Sequence, residues 1–348
     1  MTSEIQTSEF QTSEIQTSEI QTSEIQTSEI QTSEIQTIVS VNLPADEKLN
    51  IKKHRLSSGE GRRISIVTGI HGDELEGQFV VYELSRRIAE HPEFLHGTVD
   101  LYPAVNTMGI DSITRGIPAF DLDMNRIFPG RYDGDMNEFL ASQIIDNLKG
   151  SDLCIDIHAS NIYLTEIPQI RINEITRDEL LPLAILANVD FVWIHGASTV
   201  LESTLAYSLN HIGTKTLVVE MGVGMRITSE YGLQLTEGIL NLMRVLGIWS
   251  GPVNEIRTPV ISQAPDDVIF LNAPVSGIFM KSVRHGSHLK KGEKIGSIIN
   301  PMKGSVLQEV LSPADGWLFT IREYPVVSEG SLMARILREN SKNDPRKG

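Results

Sequence analysis

The chain has a single cysteine, no run of eighteen apolar residues and no surplus of basic residues. One thiol excludes an intrachain disulfide framework and fits a reducing compartment. That thiol, Cys154, lies in the apolar run DLCIDIH and reads as a small buried hydrophobe. Without a long apolar run, no membrane-spanning helix is expected. The first residues, MTSEIQTSEF, have neither the basic nor the apolar region of a secretory signal, so the expectation is a cytoplasmic protein. Acids outnumber bases by 45 to 30, for a net charge of −15. Seven of those acids and none of the bases fall in an N-terminal repeat, which leaves 38 acids against 30 bases, or −8, for the rest. That balance argues against a nucleic-acid partner and against an anionic membrane surface.

What is present begins with seven tandem copies of TSEIQ over residues 2–36, one of them TSEFQ. Five residues advance a helix by about 500°, so the isoleucines spiral around it, and in a strand they alternate between faces. Neither element gains a buried side, so residues 1–37 are expected to form a disordered tail.

Length alone, 348 residues, allows a sizeable core and more than one domain. From 38 to 256 short apolar runs alternate with amphipathic ones. Strands are expected at RISIVTGI, TVDLYPAV, LCIDIH, PQIRIN, FVWIHG and TLVVEMG. Helices are expected over 74–90, 136–148, 177–188, 200–211 and 229–246. Strands separated by helices of this length predict an α/β domain with a mixed, largely parallel sheet flanked by helices. Ligands of such sheets sit beyond the carboxyl ends of the strands. Residues 257–340 show short strands punctuated by Gly, Pro and Asn, the pattern of a small all-β domain. A polar tail, 341–348, ends the chain.

Four stretches carry chemistry. His71 and Glu74 have H-x-x-E spacing where a strand gives way to a helix, which can aim both side chains at one point and suits Zn²⁺. Asp73 and Glu76 in the same stretch read as helix-start acids. His158 ends an apolar strand and supplies a third ligand, leaving a fourth position open; Asp156, on the same strand face, can orient an imidazole. Glu220 precedes a glycine-rich turn, where a carboxylate near the metal but not bound to it can move protons, or simply cap the turn. The loop TRGIPAFDLDMNRIFPG holds Arg115, Asn125 and Arg126, and arginines there suit an anionic substrate or a developing oxyanion.

With these elements in order, the chain resembles the succinylglutamate desuccinylase/aspartoacylase family, a branch of the zinc carboxypeptidase fold. The resemblance runs from about Ile64 to Gly247 and more weakly beyond. It rests on GIHGDELEG, DIH, DMNRIFPG and VEMG. It implies one zinc ion per chain, with His71, Glu74 and His158 as ligands, Glu220 as general base and acid, and Arg115 as the oxyanion-stabilising residue. It also implies that Asn125 and Arg126 grip a carboxylate of the substrate. Two departures stand out. Met124 replaces the usual leucine at a packing position. Ten residues before Glu220, where aspartoacylase has a substrate-binding arginine, stands Asn210, which argues against an aspartate-type substrate. Arg171 and Arg226 are the alternative specificity candidates. The β region resembles a biotinyl or lipoyl barrel-sandwich domain, with Lys303 at a hairpin tip. In the family this domain caps the active-site mouth, which brings Tyr324 toward the substrate.

The expected protein is a zinc-dependent amidohydrolase acting on a small N-acyl amino acid. A zinc carboxypeptidase acting on short peptides and a non-catalytic metal-binding or partner-binding module are the alternatives. The oligomeric state, including a homo-oligomer, is left open by the sequence.

Overall fold

The computed structural model describes residues 32–196, 202–262 and 264–339. Two strands open it, β1 (Thr32–Asn42) and β2 (Lys48–Ser58). An alternating segment follows: β3 (Arg63–Thr68), α1 (Glu76–Glu90), β4 (Gly97–Tyr102), α2 (Thr107–Ser112), α3 (Met136–Leu148), β5 (Leu153–Ala159), β6 (Leu164–Asn173), α4 (Arg177–Ala184), β7 (Phe191–His195), α5 (Leu205–His211), β8 (Thr216–Gly222) and α6 (Ser229–Val245). Among the described residues, the C-terminal region has only strands and one 3-10 turn: β9 (Val260–Ile261), β10 (Val268–Asn272), β11 (Gly277–Lys281), β12 (His288–Leu289), β13 (Lys294–Asn300), β14 (Ser305–Leu311), β15 (Gly316–Arg322), β16 (Val326–Val327) and β17 (Leu332–Arg338).

The main sheet runs β1-β2-β4-β3-β5-β8-β6-β15-β17-β10. Its centre, β4-β3-β5-β8, is parallel, while β2 and β6 join that centre antiparallel. Strand alternation decides which side chains meet which helices. Ile64, Ile66, Leu153, Ile155, Ile157, Leu217 and Val219 point to one face, where α1, α4 and α6 cover them. Val67 and Cys154 point to the other, under α3 and α5. The latter face also receives Asp156, His158, Glu220 and Arg171, so the polar interruptions in these apolar strands share one side of the sheet.

Local signals place the helices. Asp135 accepts from the N–H groups of Asn137 and Glu138, and Glu138 returns a bond to the N–H of Asp135; this capping box starts α3 where expected. Helix α4 ends at Ala184, short of the expected 188, and Asn188 reverses the chain with a left-handed φ of 55°. Helix α5 begins at Leu205 behind the Thr204 cap; positions 200–201 of the expected helix lie outside the described residues.

Two expectations change. The last repeat copy, Thr32–Gln36, is not disordered: it pairs residue by residue with Ser57–Lys53 of β2. The other copies, like the polar tail, lie outside the described residues. The sheet also continues past residue 256 without a break, because β15 pairs with β6, joining Thr320 to Glu166 in register. A cluster of Ile167, Phe191, Trp193, Val268 and Phe319 packs across that seam. A second sheet, β14-β13-β11-β16, completes the C-terminal region; Lys303 lies in its β13–β14 turn. No helix among the described residues is long and apolar enough to cross a membrane.

Candidate active site

Strands β3, β5 and β8 are adjacent and parallel, so their carboxyl ends open on one side. His71 and Glu74 lie in the turn after β3, ahead of α1, which begins only at Glu76. The turn is pinned from behind: the Gly72 N–H donates to the Arg115 carbonyl at 3.1 Å. A Cβ on Gly72 would stand 2.0 Å from the Gly109 backbone of α2, so only glycine permits this approach. His158 ends β5 and faces Glu220 of β8 as its register partner.

Three donors converge. His71 Nδ1 lies 2.8 Å from Glu74 Oε1, and His158 Nδ1 lies 2.9 Å from Glu74 Oε2. The two Nδ1 atoms face each other at 3.3 Å, and one donor atom from each of the three residues fits within 4.8 Å. All three side chains are buried. The outer ring nitrogens each have a carboxylate: His71 Nε2 bonds Asp123 Oδ1 at 3.0 Å, and His158 Nε2 stands 3.2 Å from Asp156 Oδ1, close but not aligned for a hydrogen bond. With a cation held at the Nδ1 atoms, the carboxylates on this outer side would keep the ring protons on Nε2. Two imidazole nitrogens and a carboxylate, dry and aimed at one point, are a donor set that fits a divalent cation such as Zn²⁺.

Charge follows the geometry. Burial disfavours a protonated His71, but Glu74 and Asp123 outweigh it and raise the ring above its ordinary value. Burial would likewise raise Glu74, yet the two histidines hold it well below the usual carboxylate range. Glu220 goes the other way, lifted by burial against the opposing pull of Arg171.

Arg115, Asn125 and Arg126 all line the same cavity of about 550 Å³. Arg115 Nη1 bonds Glu74 Oε1 at 2.7 Å, which places its guanidinium at the donor cluster. The Asn125 side-chain oxygen, Oδ1, accepts from the Leu205 N–H at the start of α5. Arg171 lines the cavity too, but it is held by carboxylates, Glu166 at 2.8 Å and Glu220 at 3.0 Å. Asn210 spends both ends of its amide on the main chain of Thr216. Tyr324 stands edge-on against Tyr163, outside the cavity lining, and Arg226 is exposed away from it. Asp73 precedes the helix, so it is not a first-turn acid, and Glu76 accepts from the Thr228 N–H, tying α1 to the turn after Glu220.

Asp123, Glu166 and Arg335 escaped the sequence reading. A glutamate in LTEIPQI and an arginine in LMARIL, each alone among apolar residues, were the available signals of a buried charge pair.

A buried triad able to hold a divalent cation, with a carboxylate and an arginine beside it at the carboxyl ends of an α/β sheet, is equipment that suits a hydrolase. The profile of the Succinylglutamate desuccinylase/Aspartoacylase catalytic domain matches residues 60–246, just over half of the chain. The chain belongs to that family. It is 27% identical over 289 residues to the N-alpha-acetyl-L-2,4-diaminobutyric acid deacetylase of Halomonas elongata, covering 80% of this chain and 82% of that one. Its fold is similar to the product-bound structure of the ectoine utilization protein EutE (DoeB) from Ruegeria pomeroyi, with a TM-score of 0.77 at 18% identity over 89% of this chain and 97% of the other. It is also similar to a succinylglutamate desuccinylase/aspartoacylase from Rhodobacter sphaeroides, with a TM-score of 0.75 at 23% identity over 90% and 98%.

Proposed function

We propose that the chain is a zinc-dependent amidohydrolase that removes the acyl group from a small N-acyl amino acid or derivative. The convergence of His71, Glu74 and His158, with Glu220 in register beside them in one cavity, carries this reading. Bound by those three residues, Zn²⁺ supplies Lewis acidity toward the acyl carbonyl and toward the attacking water.

Asp123, bonded to the outer nitrogen of His71, and Asp156, beside that of His158, favour the tautomers whose inner nitrogens would present electron pairs to the cation. Glu220 accepts a proton from the water and passes it to the leaving amine, and the lift that burial gives its carboxyl makes it a better acceptor. Arg115 reaches the same point and meets the charge that develops on the carbonyl oxygen. Because Leu205 occupies the Asn125 oxygen, the Asn125 amino group is the end left for ligand; with Arg126 it grips the amino acid's carboxylate.

The cavity's size suits a small molecule. Asn210, fully used by the main chain, leaves no cation at the aspartate-type position. The deacetylase of Halomonas elongata puts N-acetylated amino acids first among substrates to try. A panel of N-acetyl and N-succinyl amino acids against dipeptides tests the reading with zinc-loaded protein. Acylated amino acids are expected to be turned over and dipeptides not; a preference for dipeptides would replace this reading with a peptidase.

A further inference from the structure

A buried carboxylate in the cavity lining, Glu166 of β6, has no part in the proposed chemistry. Its Oε2 accepts from Arg171 Nη2 at 2.8 Å. Its Oε1 accepts from Arg335 Nη1 and from the hydroxyl of Thr320, the latter at 3.1 Å. Arg171 extends its other terminal nitrogen, Nη1, to Glu220 Oε1 at 3.0 Å. The charges alternate along the row Arg335, Glu166, Arg171, Glu220. Both guanidinium groups lie over the Trp193 ring, 5.5 and 5.6 Å from its centre, which fixes their planes.

Arg171 therefore serves two carboxylates at once. How it divides between them depends on how well Glu166 is satisfied from its other side. A carboxylate excluded from water must be neutralised nearby. With Arg335 removed, Oε1 keeps only the Thr320 hydroxyl, and Arg171, whose buried Nε has no hydrogen-bond partner, is drawn further onto Glu166, carrying Nη1 off its present position. That movement releases Glu220. Arg335 and Thr320 belong to β17 and β15, outside the catalytic-domain match at 60–246.

We infer that Arg335 is a positioning residue, fixing the carboxylate of Glu220 through Glu166 and Arg171, so that the C-terminal strands complete the hydrolytic site. The inference rests on the reading of Glu220 as the proton carrier.

The test uses the full chain with Arg335→Gln and Arg335→Lys. Steady-state kinetics on an N-acetyl amino acid, normalised to folded zinc-loaded enzyme, is read beside crystal structures of wild type and Arg335→Gln. In the Arg335→Gln crystals Arg171 is expected to leave Glu220. In solution kcat falls about 10- to 100-fold with KM changed less than about twofold, and Arg335→Lys recovers most of the loss. Thr320→Val, which removes only the hydroxyl on the same oxygen, gives a smaller fall of about 2- to 5-fold and serves if Arg335→Gln does not fold. Arg171 still on Glu220 in the variant crystals overturns the inference. So does an unchanged kcat per folded molecule, or a raised KM at constant kcat, which would make Arg335 a substrate contact. A wild type inactive on every acylated amino acid sinks the functional reading alone, and the crystal comparison still decides the row of contacts.

Discussion

His71 is gripped from both sides, by Glu74 on its inner nitrogen and Asp123 on its outer one, and the second grip decides whether the first can bind a cation. An imidazole free to rotate or to shift its proton presents the wrong nitrogen half the time. Replacing Asp123 with Ala is therefore expected to weaken zinc binding about 10- to 100-fold, read by competition with a chelator; an unchanged affinity would remove Asp123 from the site. At this scale the sequence was partly transparent. His71, His158 and Glu220 stood out because each is a polar residue closing an apolar run, and Glu74 because of its H-x-x-E spacing from His71. Asp123 hid in a loop where a cap is the ordinary role, and it does also cap the Asn125 N–H. Arg335 hid because its partner lies 169 residues away, across a strand pairing that local pattern does not encode.

Among the elements, β1, β2 and the short α2 were among those sequence periodicity did not show. A TSEIQ copy has one apolar residue and buries none, so its strand state comes from the backbone partners that β2 offers. Further along β1, Val39 is buried against α3. A chain beginning at Leu43 is expected to unfold several degrees below one beginning at Thr32; equal transitions in calorimetry would show β1 to be dispensable. In β2 the apolar alternation is broken by Lys53, which is buried because Asp100 of β4 receives it at 3.0 Å along with two bonds from Arg55 at 2.7 Å. Burial alone would raise the Asp100 carboxyl, but Arg55 and Lys53 outweigh it and hold it below its ordinary value. The stabilisation is thus complete above the unfolded value of about 3.9 and is lost as pH falls through the lower folded value. Asp100→Asn is expected to destabilise by about 3–5 kcal/mol at neutral pH. In urea unfolding at several pH values the gap should narrow in acid; a gap constant with pH would contradict the account.

For the whole molecule, the composition shift near residue 256 marks a change of element type, whereas hydrogen bonding and packing run straight across it. Strand pairing between β6 and β15 is invisible to a reading of either segment alone. A chain ending at residue 256 leaves Glu166 with Arg171 but without Thr320 and Arg335, and uncovers Phe191 and Trp193, so it is expected to aggregate and to show no hydrolysis. A soluble, fully active truncation would separate the two regions after all. The order of strands and helices, by contrast, was legible because alternation of apolar and amphipathic runs follows from which face each element buries.

Glu220→Gln separates proton transfer from metal binding, since it removes the proton carrier while keeping size and hydrogen-bonding capacity. Wild type and variant are both expected to hold one zinc per chain, and hydrolysis of the best N-acyl amino acid is expected to fall by about 100-fold or more in the variant. A purified protein without stoichiometric zinc, or a variant as fast as wild type, would contradict the proposed mechanism.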